Sequence, residues 1–237
     1  ALRNRKKVAL FEVGDLSESQ IILRLGMRLA GRPLLREHCG KVLIPKKVER
    51  YTTDPNDQTD PGIAVDGDTV RITRPVSRLA CLRARRRFLH GFGLDPKQTH
   101  LMVSVHPNSS INVRGIDALL ERWHLERDFV PDVIVIDYAD ILAPEDRRAE
   151  KRHQIDATWK ALRRMSQERH CLVITPTQAD TESYDRKTQT MRNFTDAKYK
   201  NAHVTGMLGL NQTEQEKDLQ VMRLNWIMLR ESPFKTS

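Results

Sequence analysis

The sequence predicts an α/β protein built on a mostly parallel sheet with helices on both faces. Three observations carry this. Short apolar runs recur along the chain: Val8-Ala9-Leu10-Phe11, Leu101 to Val105, Val133-Ile134-Val135-Ile136 and Cys171-Leu172-Val173-Ile174. Runs this short and this rich in β-branched residues suit strands buried on both faces, as in parallel sheets. Between them lie stretches with helical spacing, which gives the alternation of strand and helix that calls for right-handed parallel crossovers. Several runs stop at an acid or an amide, and the carboxyl ends of parallel strands form the edge at which α/β proteins bind ligands.

The first strand spans Val8-Ala9-Leu10-Phe11, and Glu12-Val13-Gly14-Asp15 reads as an acidic turn after it. Ser17 followed by Gln20 is a capping-box pattern. Ile21, Ile22, Leu25 and Leu29 then recur at helical spacing, and Gly31 and Pro33 end the helix. From Gly40 to His90 the character changes. Lys41 to Ile44 and Thr69 to Ile72 read as short strands around a loop rich in Asp, Pro, Asn and Gly, Thr52 to Gly67, expected to be mobile. The arginine-rich stretch Leu79 to Leu89 follows, and 40–90 as a whole reads as an insertion in a single domain covering 1–237. Leu101 to Val105 is the next strand and His106 to Ser110 a turn. Ile116, Leu119, Leu120 and Trp123 form the stripe of a helix that leads into Val133 to Asp137. After the charged stretch Ala143 to Arg152, a second helix stripe is made by Ile155, Trp159 and Leu162. Cys171 to Ile174 is read as another buried strand, ending in Thr175-Pro176-Thr177-Gln178. A polar loop, Asp180 to Thr195, precedes two last strands, Val204 to Leu210 and Leu219 to Leu229.

Composition narrows the function classes. The formal net charge is +9, which fits a polyanionic partner, most simply nucleic acid. Three widely separated cysteines, Cys39, Cys81 and Cys171, argue for a reducing, cytoplasmic setting and against a disulfide framework. No apolar run approaches the length that spans a membrane, so no membrane partner is expected. His38-Cys39 has no second pair at a spacing suited to zinc.

The expected site lies where the strands end. Asp137 closes an apolar strand, and a carboxylate there suits a magnesium ion bridging nucleotide phosphates. Asp15 or Glu12 would orient water, Gln178 would sense the γ-phosphate, and Arg230 could reach the phosphates of a neighbouring subunit.

This order of elements resembles the RecA-like motor domain of DnaB-type replicative helicases. Lys7 to Phe11 followed by an acid, Ser17, Gln20 and Arg24 looks like the family's second strand, its catalytic glutamate and the helix behind it. Val133 to Asp140, with Ile136-Asp137-Tyr138, looks like its Walker B strand. Ile174 to Gln178 is similar to the strand ending in its sensor glutamine, and Arg230 falls where the family places a finger arginine. The resemblance implies a RecA-like α/β fold, ATP and Mg²⁺ as cofactors, and a helicase or translocase moving along single-stranded DNA in replication. It implies a homo-oligomeric ring, a hexamer, with a primase or loader as further partner, in a bacterial or phage setting. Asp137 and Asp140 fall on the nucleotide side, with Asp137 on the metal. Arg147, Arg148, Lys151 and Arg152, and after Gln178 also Arg186, Lys187 and Arg192, fall in segments that face DNA.

The sequence departs from the family at several places. The catalytic acid falls on Asp15 by spacing to Gln20 and near Glu12 by spacing to Phe11. Asp140 replaces a common glutamine, and Met228 stands where a lysine is usual beside the finger. No Gly-x-x-x-x-Gly-Lys-Ser/Thr loop occurs in the chain. The expectation is an N-terminally incomplete domain, with loss of nucleotide binding as the other explanation. Two alternatives remain: a recombinase or loader-type ATPase without unwinding, and a degenerate DNA-binding relative without turnover.

Overall fold

The β-branched run of the fifth strand builds the centre of the sheet. In a computed structural model of the chain, which describes residues 1–51, 63–179, 188, 190 and 200–230, β1 (Val8–Val13), β4 (Leu101–His106), β5 (Val133–Asp137) and β6 (Leu172–Ile174) form a four-stranded, all-parallel sheet in the order β4-β1-β5-β6. Helices α1 (Glu18–Ala30), α2 (Arg78–Gly91), α3 (Val113–Arg127) and α4 (Lys151–Glu168) flank it. The fold is α/β, as expected.

One sheet face carries Ala9, Phe11, Val13, Ile134 and Ile136. They pack with Ile116, Leu120 and Trp123 of α3 and with Trp159, Leu162 and Met165 of α4 in a single core. The rings of Phe11 and Trp123 stack at 5.4 Å between centroids. The connections β4-α3-β5 and β5-α4-β6 both step the same way across the sheet, so right-handed crossovers put both helices on this face. The connection from β1 to β4 steps the opposite way, which assigns α1 and α2 to the other face. Those two helices approach closely at Gly26, where a Cβ would lie 2.8 Å from Cys81 Sγ.

The capping box forms as its sequence suggests. The Ser17 N–H donates to Gln20 Oε1 at 2.8 Å, and the Gln20 N–H to Ser17 Oγ at 3.4 Å. Asn112 caps α3 by accepting the Gly115 N–H at 2.8 Å.

Several expectations are corrected. β1 runs on through Val13, so Glu12 belongs to the strand and not to a turn. His106 likewise ends β4 rather than opening a turn. β6 is not buried on both faces: Leu172 and Ile174 are 54% and 46% exposed, because β6 lies at the border of the described sheet. The last two strands, β7 (Gly206–Asn211) and β8 (Arg223–Leu229), pair with each other in antiparallel fashion instead of joining the parallel sheet. A short helix, α5 (Glu214–Asp218), lies between them, and the final strand begins at Arg223 rather than at Leu219. The expected loop 52–67 is strand from Ile63 onward: β3 (Ile63–Arg71) pairs antiparallel with β2 (Lys41–Tyr51), and 52–62 lie outside the described residues.

The chain divides into two compact units. The first comprises Ala1–Ala30, Ser77–Ala179 and Thr195–Val204 and holds the parallel sheet and α1 to α4. The second comprises Gly31–Val76, Asp180–Phe194 and Thr205–Ser237 and holds the β2-β3 and β7-β8 ribbons. Helix α2, read in the sequence as part of the 40–90 insertion, thus falls in the first unit. Among the described residues no helix is long and apolar enough to cross a membrane.

Candidate active site

Parallel register dictates which strand-end side chains meet. Glu12 is the in-register partner of Asp137 on one side and of Val105 on the other. In a parallel pair such partners project from the same face, so the two carboxylates sit side by side at the carboxyl edge. They also sit at the topological switch point. The chain leaves β1 toward β4 and leaves β5 toward β6, in opposite directions, and the crevice that opens where directions diverge is where α/β sheets bind ligands.

Glu12 is only 5% exposed. Burial, then the neighbouring charge of Asp137 and the more distant one of Asp15, push its pKa above the usual carboxylate range; the Leu16 N–H and Arg24 pull partly the other way. Asp137 is half-buried, and Asp15 is exposed. The ambiguity between the two acids therefore has a structural side: Glu12 stands next to Asp137, whereas Asp15 lies three residues on, past Gly14. At Gly14 φ is +113° and a Cβ would meet Ile141 Cδ1 at 2.6 Å, so only glycine lets β1 turn here against the segment that follows β5.

That segment is tied down from two sides. The Ala139 N–H donates to Thr175 Oγ1 at 2.9 Å, which joins the ends of β5 and β6. The Ser109 N–H donates to the Ile141 carbonyl at 3.1 Å, and the Ala143 N–H to that of Ile111 at 2.8 Å, which joins it to the β4-α3 loop. The Asp137–Tyr138 peptide is cis.

Asp140 is engaged by two partners. Its Oδ2 accepts the Thr177 hydroxyl at 2.7 Å and Lys200 Nζ at 2.8 Å. Gln178, the next residue after Thr177, is exposed at the β6 end of the same edge. Sequence reasoning missed Thr175, Thr177 and Lys200. The two hydroxyls stand beside Gln178 in the sequence, but a lysine 60 positions from its carboxylate leaves no local signal.

Of the remaining expected residues, four surround the start of α4, one belongs to the second unit, and three lie outside the described residues. Arg147, Arg148, Lys151 and Arg152 are all exposed around the start of α4. Arg152 pairs with Glu150 at 2.9 Å, and the first turn of α4 contains no acid. Arg230 directly follows β8, in the second unit, and its N–H donates to the Thr205 carbonyl at 2.9 Å. Arg186, Lys187 and Arg192 lie outside the described residues, as do Tyr184 and Phe194. Among the described residues no three or more His, Cys, Asp or Glu side chains converge as a metal site. The Glu12–Asp137 pair still fits a magnesium ion, which needs only one or two protein carboxylates when phosphates and waters complete its shell.

No protein-family model and no curated protein sequence matches the chain. Solved structures do. The fold is similar to that of the ATPase domain of G40P, with a TM-score of 0.60 and 11% identity over 96% of this chain and 68% of that one. It is equally similar to a DnaB-like replicative helicase whose structure was described with its interactions with primase: TM-score 0.60, 12% identity, over 96% of this chain and 47% of that one. The fold is that of a DnaB-like helicase ATPase domain. The chain spans less than half the length of the second of these proteins.

Proposed function

We propose that this chain is part of the motor of an ATP-driven DNA helicase or translocase. The observation that carries the proposal is the carboxylate pair Glu12–Asp137 at the switch point of a sheet whose fold is shared with helicase ATPase domains. Asp137 would hold Mg²⁺, and a bound Mg²⁺ would neutralise charge on nucleotide phosphates. Glu12 has the traits of a general base for water: a raised pKa, little solvent, and a place beside the metal carboxylate. We assign it that role ahead of Asp15. Gln178, exposed at the end of the neighbouring strand, would sense the phosphate, and Arg230 would act on a neighbouring subunit's site in a ring. Single-stranded DNA would lie against Arg147, Arg148, Lys151 and Arg152, with Arg186, Lys187 and Arg192 as further contacts. The start of α4 supports this assignment. Exposed Arg147, Arg148, Lys151 and Arg152 gather around the N-cap Glu150, where the helix dipole already favours an anion, which suits a phosphate backbone. A hexameric ring, a primase or loader as partner, and a cytoplasmic setting belong to the same proposal.

The phosphate cradle itself has no counterpart in this sequence, since the glycine-rich loop with its lysine is missing from it. That favours one second reading, a DNA-binding relative without turnover. Nucleotide hydrolysis by the full-length protein, with and without single-stranded DNA, separates the two. Turnover that rises with DNA and is lost in Asp137→Ala supports the motor. Turnover unchanged in Asp137→Ala removes Asp137 from the mechanism, and no turnover in either form leaves the binder.

A further inference from the structure

Lys200 is buried, with 11% of its side chain exposed, and comes from a segment remote in sequence from everything it touches. Its Nζ donates to Asp140 Oδ2 at 2.8 Å and to Thr177 Oγ1 at 2.8 Å, while that hydroxyl donates to the same Asp140 oxygen at 2.7 Å. The three groups close a triangle. Its ammonium also lies 5.8 Å from the centroid of the Trp159 ring on α4. The segment carrying it is anchored independently: His203 Nε2 lies 2.8 Å from Asp156 Oδ1, and Arg163 Nη1 donates to the His203 carbonyl at 3.4 Å, both partners being on α4. Lys200 is therefore held against α4 and presented to the sheet edge from there.

The position of the triangle is what matters. Asp140 lies three residues past Asp137, the end of β5, and Thr177 lies one residue before Gln178 and three past the end of β6. We infer that Lys200 is a positioning residue of the strand-edge site: through Asp140 and Thr177 it holds the ends of β5 and β6 together and so sets Gln178 against Asp137. Taking an ion pair out of water gains little or no stability over apolar packing of the same volume. What a closed hydrogen-bonded triangle around a buried lysine supplies is a single geometry. A site that combines a carboxylate from one strand with an amide from the next needs that geometry, because errors well under an ångström weaken catalysis. The consequence for turnover rests on the hydrolytic reading above; the clamp itself does not.

The test uses Lys200→Met, which keeps the aliphatic stem over Trp159 and removes the charge, together with Thr177→Val, Thr177→Ser and the double variant Lys200→Met/Asp140→Asn, all in the full-length protein. The first readout is amide exchange. The Ala139 N–H, bonded to Thr175 across the two strand ends, should exchange at least tenfold faster in Lys200→Met and Thr177→Val. The Gly14 N–H, bonded to the His106 carbonyl at 2.8 Å on the far side of β1, should not change. Thr177→Ser, which keeps the hydroxyl, should behave as the parent. The second readout is turnover: kcat should fall about tenfold or more with nucleotide Kd changed by less than threefold, and the double variant should be no worse than Lys200→Met alone. Parallel acceleration of Ala139 and Gly14, or parental exchange at Ala139, overturns the clamp. Faster exchange at Ala139 with parental kcat overturns its positioning role. If the parent protein shows no turnover, the hydrolytic reading falls and the exchange contrast alone decides for or against the clamp.

Discussion

Replacing Glu12 by glutamine should make the protein more stable while abolishing hydrolysis. Glu12 and Asp137 are in-register partners on adjacent strands, and such strands lie about 4.8 Å apart. Two unit negative charges at that distance repel by about 3 kcal/mol at an effective dielectric near 20. The Leu16 N–H and Arg24 offset part of this, which leaves a net gain of about 1–2 kcal/mol when one charge is removed. Glutamine keeps an oxygen for the Leu16 N–H and adds an NH₂ that can donate to Asp137. For a chain of this length that gain raises the melting temperature by about 2–8 °C. The sign with pH follows from the raised pKa. The unfolded chain gives up the Glu12 proton first, so wild-type stability falls as pH rises from the ordinary glutamate value through the raised one. Glu12→Gln lacks that slope. Thermal unfolding from pH 4 to 8 in a chelating buffer should show the two proteins converging at the acid end and Glu12→Gln ahead near neutrality. The reasoning fails if Glu12→Gln is no more stable at neutral pH, or if its advantage grows as the pH drops.

Two further predictions concern other parts of the chain. The triple variant Arg147→Ala/Arg148→Ala/Lys151→Ala should weaken single-stranded DNA binding evenly across sequences and flatten the dependence of log K on log salt by about 2; an unchanged slope in a salt titration would show that these side chains meet no phosphate. In the second unit, Glu216 is 4% exposed. Burial alone would raise its pKa, but Arg223 and the Thr213 N–H outweigh burial and hold it below the usual range. Glu216 therefore adds stability that is present above the ordinary carboxylate pKa and lost as pH falls through the depressed one. Glu216→Gln should cost about 1.5–3 kcal/mol near neutrality, read as faster amide exchange across β7 and β8, and the gap to wild type should close in acid.

Much of the first unit was legible in the sequence because its signals are local. Apolar runs bounded by turn residues located β1, β4 and β5, and Ser17 with Gln20 announced the start of α1. An acid at the end of Val133 to Ile136 marked the sheet edge, since strand direction and a polar terminus are both properties of a few consecutive residues. Local pattern could not say which neighbours each strand takes. The same apolar alternation serves a buried central strand and a bordering one, so β6 reads as buried and the partners of β7 and β8 stay open until pairing decides them. The choice between Glu12 and Asp15 was undecidable from spacing, because one residue of strand length moves either acid to the edge. Only the register of β1 on β5 put Glu12 beside Asp137. Lys200 meets Asp140 across 60 positions, and no property of either residue's own neighbourhood encodes that meeting. Local propensity determined which segments are strands and helices; the order in which the strands lie determined which carboxylates, hydroxyls and amines share an edge, because that order is settled by packing over the whole unit.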